Sequence, residues 1–512
     1  MTVGPHSEIR SARDSVRARD TRWLALLVLC LGDLMIVLDV TIVGVALPSI
    51  RADLGFSEES LAWVVNAYLI TFGGFLLLGG RLGDLLGHRS VFLAGVAVFT
   101  SASVVCGLAS SQEMLVAARA VQGVGGAVAS AVALSLMMTL FTEPAERAKA
   151  MGIFGFVSSG GGSLGVLLGG ILTDLLGWHW IFLVNVPVGI LVVVLTLMVI
   201  SGARAQGVAQ RIDIAGATTV TASLVVAVYA IVNGNQIGWL TGRTLGLLAV
   251  SFVLLVIFLG IEARVGSPLV PLRLFRLRNI AVSNVVGVLW AGAMFAWFFL
   301  TALYLQLVLG YSPLLVGLAF LPGSLIMGAI SIGLSAKLVL RLGIRPPLSA
   351  GLLLAALGLL LLARAPAHGV FAYDVLPSMI LLGLGAGMAF NPVLLAAMND
   401  VEPKEAGLAS GLVNTSFMMG GALGLAVLAS LAASRTGGLL VQGESQVAAL
   451  TGGYHLAFVV GAIAAAAAAA LGAIMLRAPA PQATSEPKEA TGEPAPCTAF
   501  SVRDCRPSEQ LG

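Results

Sequence analysis

Apolar residues in this chain fall in runs too long for the elements of a water-soluble domain. They lie at roughly 23–48, 61–80, 90–109, 113–140, 150–172, 179–200, 213–233, 243–263, 280–303, 313–335, 348–363, 374–397, 405–430 and 453–476. About 20 residues of helix cross the hydrocarbon of a bilayer. In lipid each backbone N–H and C=O must be satisfied within its own segment, so the pattern predicts fourteen transmembrane helices. Short turns marked by Gly and Pro separate them. The last run contains AIAAAAAAALGA, low in complexity but still a good helix former. Beyond Arg477 the chain is rich in Pro, Ala and Glu, which predicts a disordered tail.

The polar positions between the runs set the topology. An even number of spans puts both termini on one side. With the termini cytoplasmic, the basic residues fall on the inner side except Arg51, Arg243, Arg364 and Arg435, and Arg119 within a span. This is the expected positive-inside asymmetry. The loops GGRLGDLLGHRS and SAKLVLRLGIRP look like a strong and a weak copy of one element. Copies in two halves indicate a transporter built from repeats. Spans nine to fourteen would then repeat spans one to six, with seven and eight as an inserted pair. The expected organisation is a cytoplasmic N-terminal segment (1–22), a first six-helix bundle (23–200), two linker helices with flanking loops (201–279), a second bundle (280–476) and a cytoplasmic tail (477–512).

Composition narrows the function. Of 512 residues 58% are hydrophobic and 10% charged, against about 25% charged in soluble proteins. The lipid bilayer is therefore an expected partner, and the net charge of +3 adds little. The basic N-terminus resembles a signal-peptide n-region, but the apolar run after it is too long, so it reads as an uncleaved first helix. None of the four cysteines has metal-ligand spacing. No phosphate-binding G-x-x-x-x-G-K-[ST] loop occurs, nor a Ser/His/Asp set, and the five histidines are scattered. No enzyme activity, metal, cofactor or nucleic-acid partner is expected, and transport energy should come from an ion gradient. A channel is disfavoured because no ring of charges or filter-like loop recurs. A receptor or scaffold is disfavoured by the absence of a folded sensing module and by costly charges within the spans.

Those charges are Asp33, Asp39 and Arg119. Each costs about 2.5–3.5 kcal/mol on the insertion scale. Counting rise from the span ends puts Asp39 about 24 Å and Arg119 about 21 Å above the inner boundary, so the two share a level and can pair. Two readings stay open: a proton-coupling pair whose carboxyl loads and unloads, or a static tie between spans one and four. Asp33 lies near the midplane on another face of the first helix; it lines the cavity as a cation or proton site, or it hydrogen-bonds a neighbouring helix. In span five, Gly161, Gly165 and Gly169 form a small-residue stripe that permits close helix approach.

With these residues in view, the chain resembles the fourteen-helix drug:proton antiporters of the major facilitator superfamily over nearly all of residues 20 to 477. LDVTIVGVALP is similar to the first-helix signature carrying the membrane acid, here Asp39. GGRLGDLLGHR is similar to the loop signature between helices two and three, with Gly80, Asp84, Gly87 and Arg89 in the marked positions. RAVQGVGGA resembles the fourth-helix signature whose arginine, here Arg119, is tied to proton transfer. GGSLGVLLGG resembles the antiporter signature of helix five, with Gly161, Gly165, Gly169 and Gly170. WHWIFLVNVPVG is similar to the entry to helix six.

The resemblance implies an all-α membrane protein of the major facilitator fold: two six-helix bundles plus two additional helices, working as a monomer by alternating access. It implies a multi-pass efflux transporter of the cytoplasmic membrane that exchanges protons for small amphiphilic drugs or antibiotics. Asp39 and Arg119, with Asp33, would serve proton coupling. Gly80, Asp84, Gly87 and Arg89 would form a cytoplasmic gate. Candidate cavity residues by type and location are Asp33, Asn66, Trp290, Trp297, Gln306 and Asn391, with Trp63 and Tyr304 beside them. The chain departs from the pattern at Gly44, where Asn is usual, and at Val166, where Pro is usual; its span ten lacks the acid some members carry. The alternative is an exporter or importer of an endogenous metabolite on the same fold. Arg outnumbers Lys 24 to four, which suggests a G+C-rich bacterial genome.

Overall fold

The computed structural model describes residues 5–141, 143–200, 213–266, 268–398, 401 and 406–477. The stretch 201–212 and the tail from 478, expected to be loop and disordered tail, lie outside the described residues. Fourteen long helices follow one another: α1 (Pro5–Leu54), α2 (Trp63–Leu86), α3 (His88–Gly107), α4 (Gln112–Leu140), α5 (Pro144–Leu176), α6 (Asn185–Val199), α7 (Ile214–Ile237), α8 (Gly242–Glu262), α9 (Arg278–Leu303), α10 (Pro313–Ala329), α11 (Arg345–Leu362), α12 (Leu376–Met398), α13 (Ala406–Val441) and α14 (Gln446–Met475). Among the described residues, twelve stretches are long and apolar enough to cross a membrane; Leu164–Leu176 in α5 and Pro313–Ala329 are shorter apolar helices. A π turn, Ile330–Leu334, extends the latter into the helix Ser335–Leu342.

The ends of these helices follow local chemistry. Ser111, Asp213, Thr241, Ser312 and Ser445 accept a backbone N–H at the starts of α4, α7, α8, α10 and α14, each satisfying one of a helix's orphan donors. Gly87, which ends α2, has φ 90°, a conformation costing an L side chain roughly 1–2 kcal/mol. The first helix starts well before the apolar run and reaches Leu54, passing through Pro48. Hydropathy marks the part that fits in lipid, whereas backbone hydrogen bonding continues beyond it.

Packing repeats between two sets of helices. In the first, α1 lies on α5 and α6, and α4 lies on α2 and α3. In the second, α9 lies on α13 and α14, and α12 lies on α10 and α11. The sets meet where α5 crosses α10, where α2 crosses α13, and where the end of α1 nears α9. The pair α7–α8 packs on itself, and α7 also touches α2 and α13. Large apolar side chains of α8, including Val250, Phe252, Val253 and Val256, are exposed, the pattern of a lipid-facing helix.

Candidate functional site

Five helices, α1, α2, α3, α4 and α6, and the short turn before α6 meet in one polar cluster around a carboxyl. Asp39 on α1 is 0% exposed and Arg119 on α4 is 1% exposed. Arg119 Nη1 lies 2.5 Å from Asp39 Oδ2. The other carboxyl oxygen, Oδ1, accepts from Gln122 Nε2 at 2.7 Å and from Asn185 Nδ2 at 3.1 Å. Asp39 thus acts as an acceptor toward three donors from α4 and α6. Breaking such a buried pair from one side costs about 3–5 kcal/mol, because it strands the other charge.

Arg119 does not depend on Asp39 alone. Its Nε donates to Val64 O of α2 at 3.0 Å, and its Nη1 also donates to Gln122 Oε1 at 2.7 Å. The guanidinium lies 4.4 Å from the centre of the Tyr68 ring and 5.6 Å from that of Phe182, in range for cation–π attraction. Gln122 Nε2 donates to Ser103 Oγ of α3 at 2.8 Å. Loss of charge on Asp39 would therefore leave the arginine four neighbours that hold it in place.

Reading single charges missed Gln122, Asn185, Ser103, Tyr68 and Phe182. A signal for Gln122 was present, since it lies three residues after Arg119 and shares its helix face. Asn185 stands within WHWIFLVNVPVG, a polar amide in an apolar run.

The other candidates are dispersed. Asp33 is buried on α1, six residues from Asp39 and outside the bonds just described. Asn66, Trp290 and Trp297 are buried, and both amide atoms of Asn66 and both indole nitrogens lack a hydrogen-bond partner. Trp297 packs 4.4 Å from Phe298 between ring centres. Gln306 Nε2 donates to Val45 O of α1 at 2.8 Å, so here it joins the two helix sets. Asn391 Nδ2 donates to Ser331 O at 2.9 Å, tying α12 to the π turn after α10.

The glycines of α5 face two ways. A Cβ at Gly161 would meet Leu34 and Val37, at Gly165 Thr41, and at Gly169 Ile42, all on α1. At Gly170 it would lie 2.7 Å from Pro313 O on α10, and one at Gly317 would lie 2.9 Å from Val166 O. The loop after α2 carries different bonds. Asp84 Oδ1 lies 3.2 Å from His88 Nε2, and Arg89 Nη2 donates to Leu197 O at 3.0 Å. Nothing lies within 4 Å of a Cβ built on Gly80. Among the described residues no group of His, Cys, Asp or Glu could hold a metal ion.

Comparison with known proteins adds what geometry alone does not supply. A family profile described as Major Facilitator Superfamily matches residues 29–425. The cephamycin export protein CmcT of Amycolatopsis lactamdurans is 40% identical over 422 residues, covering 82% of this chain and 86% of that protein. The puromycin resistance protein pur8 of Streptomyces alboniger is 40% identical over 450 residues, covering 86% and 89%. Among solved structures, a bacterial homolog of the human lysosomal transporter Spinster aligns with a TM-score of 0.64 at 16% identity, covering 90% of this chain and 99% of that one.

Proposed function

Because this chain belongs to the Major Facilitator Superfamily, we propose that it exports amphiphilic antibiotics or other drugs across the cytoplasmic membrane in exchange for protons. The relatives named for cephamycin export and puromycin resistance support the export reading. The observation that carries the proton reading is the buried Asp39–Arg119 pair, with Gln122 and Asn185 on the second carboxyl oxygen.

We infer fourteen spans in two six-helix bundles, α1–α6 and α9–α14, joined by α7–α8. The repeated packing supports the bundles, as does the length of α5 and of α10 with its extension. Both termini are assigned to the cytoplasm from the placement of basic residues. On that orientation Pro48, Gly170 and Pro313 lie toward the outside, where α5–α10 contact and the Gln306–Val45 bond hold the bundles together. The arrangement then corresponds to a cytoplasm-facing state.

In the proposed cycle, drug enters while Asp39 is ionised against Arg119. The outward-facing state releases drug, and Asp39 takes a proton from outside. Neutral Asp39 no longer attracts the guanidinium, which stays on Val64 O, Gln122 and the Tyr68 ring. The α1–α4 contact loosens and the carrier returns. Asp84 and Arg89 would change partners as the cytoplasmic end closes. The decisive test is Asp39→Asn in sealed vesicles. Gradient-driven drug efflux should be lost while drug binding and counterflow without a gradient persist; efflux that continues at the wild-type rate removes Asp39 from coupling.

A further inference from the structure

A second pair of buried carboxyls sits at the base of the inserted helices, away from the Asp39 site. Asp213 starts α7 and is 5% exposed; Glu262 ends α8 and is 3% exposed. Each has one oxygen in structural use. Asp213 Oδ1 accepts from Gly216 N at 2.7 Å, capping α7. Glu262 Oε2 accepts from Val270 N at 3.1 Å, fixing the turn that leads toward α9.

The two remaining oxygens face one place. The position a Cβ would take on Gly216 lies 2.6 Å from Asp213 Oδ2 and 3.0 Å from Glu262 Oε1. Both oxygens are fully buried, and neither has a hydrogen-bond partner among the described residues. Among the described residues, the charged groups carried by the adjoining segments are Arg81 and Asp84 at the end of α2, Arg264 just after Glu262, and Arg273 and Arg276 in the 3-10 turn before α9; Arg204 and Arg211, just before Asp213, lie outside the described residues. None of these described residues donates to either free oxygen. Two adjacent buried carboxylates, both ionised and each with an oxygen that no described residue bonds, repel each other strongly, and such dyads are relieved by holding a proton between them.

We propose that Asp213 and Glu262 share one proton, making a proton-binding site distinct from the Asp39–Arg119 pair. One carboxyl keeps its O–H and donates it to the free oxygen of the other, so the pair carries a single negative charge. Ala217, next to Gly216, and Leu269, next to Val270, join Leu78 of α2 in a small apolar cluster. The shared proton therefore ties the start of α7 and the end of α8 together beside the cytoplasmic end of α2. Both residues also keep a backbone contact, so an amide at either position can retain that contact and still offer a donor to the remaining carboxylate.

The test is infrared difference spectroscopy on the full chain in lipid nanodiscs at neutral pH, with Asp39→Asn as the common background. Spectra are compared with Asp213→Asn and, separately, Glu262→Gln added. Asn remains a good helix cap, so Asp213→Asn is expected to fold, and either variant alone is sufficient. The expected result is a protonated-carboxyl C=O band that each substitution removes. Retention of the same bands in both variants shows both groups ionised and overturns the proposal. So does a rise in melting temperature on adding sodium or magnesium that the substitutions abolish, since a metal ion would then hold the pair.

Discussion

At the scale of single residues, the site depends on a neutral side chain as much as on its charges. Gln122 touches Asp39, Arg119 and Ser103 at once. It fixes which carboxyl oxygen faces the guanidinium. Replacing it with Leu takes a donor from Asp39 Oδ1 and an acceptor from Arg119 Nη1, while Ser103 Oγ still donates to Phe99 O. A buried hydrogen-bonding group left unsatisfied costs about 1–3 kcal/mol. Gln122→Leu is therefore expected to lower the melting temperature modestly and, on the proposed proton coupling, to reduce efflux driven by a pH gradient by roughly tenfold or more, a factor of ten being about 1.4 kcal/mol. Efflux rates in vesicles at a fixed pH gradient check this; a wild-type rate would assign the glutamine to packing alone. Asp39 and Arg119 were legible because a charge inside an apolar run is rare and costly. Gln122 and Asn185 were less so: the spacing from Arg119 marks Gln122, but uncharged amides also occur in spans without sharing a site. Asn66 is such a case: it is buried with both amide atoms unpartnered.

At the scale of elements, close approach is divided between the two faces of α5. The stripe at spacing four was legible as a packing device. Which helix it packs against was not, since spacing gives a face and not its partner. Three of its glycines lie on α1, inside one set, whereas Gly170 lies on α10, between the sets. A methyl group at Gly165 would collide with Thr41 and disturb the wall that carries Asp39. At Gly170 it would push α5 from α10 at the Pro48 end. Gly170→Ala is thus expected to shift the carrier toward the state open at that end, with Asp39–Arg119 left intact. Spin-label distances between α5 and α10 should lengthen there, while Gly246→Ala on α8, with open space around it, should leave those distances unchanged. Equal distances in Gly170→Ala and wild type would show that α10 adapts locally. Helix ends were less legible than helix existence. The first apolar run stops near residue 48, but α1 continues to Leu54 through Pro48, because its hydrogen-bond ladder does not need lipid to continue.

At the scale of the whole molecule, the proposed alternation requires the Pro48 end, where the two sets meet, to separate at modest cost. Its contacts suit that. At this end α5 and α10 meet through glycines and backbone, and Gln306 gives one hydrogen bond to Val45 O across the two sets. A cavity of about 420 Å³ lies beside it, lined by Pro48, Arg51 and Phe56 from the α1 side and by Leu307, Gln446 and Leu450 from the other, so the seam there is incompletely packed. A neutral hydrogen bond contributes about 0.5–1.5 kcal/mol. That is enough to move a balanced two-state equilibrium several-fold and too little to lock it. Gln306→Leu should accordingly favour the state open at the Pro48 end, with a several-fold rise in labelling of a cysteine placed at Val45 by a membrane-impermeant reagent from outside. Because Gln306 makes none of the bonds to Asp39 or Arg119, the proposed proton dependence of the remaining transport should keep its wild-type shape while the rate changes. If labelling stays at the wild-type level, the glycine seam between α5 and α10 holds the end closed unaided, and the latch must be sought at Val166 and Gly317.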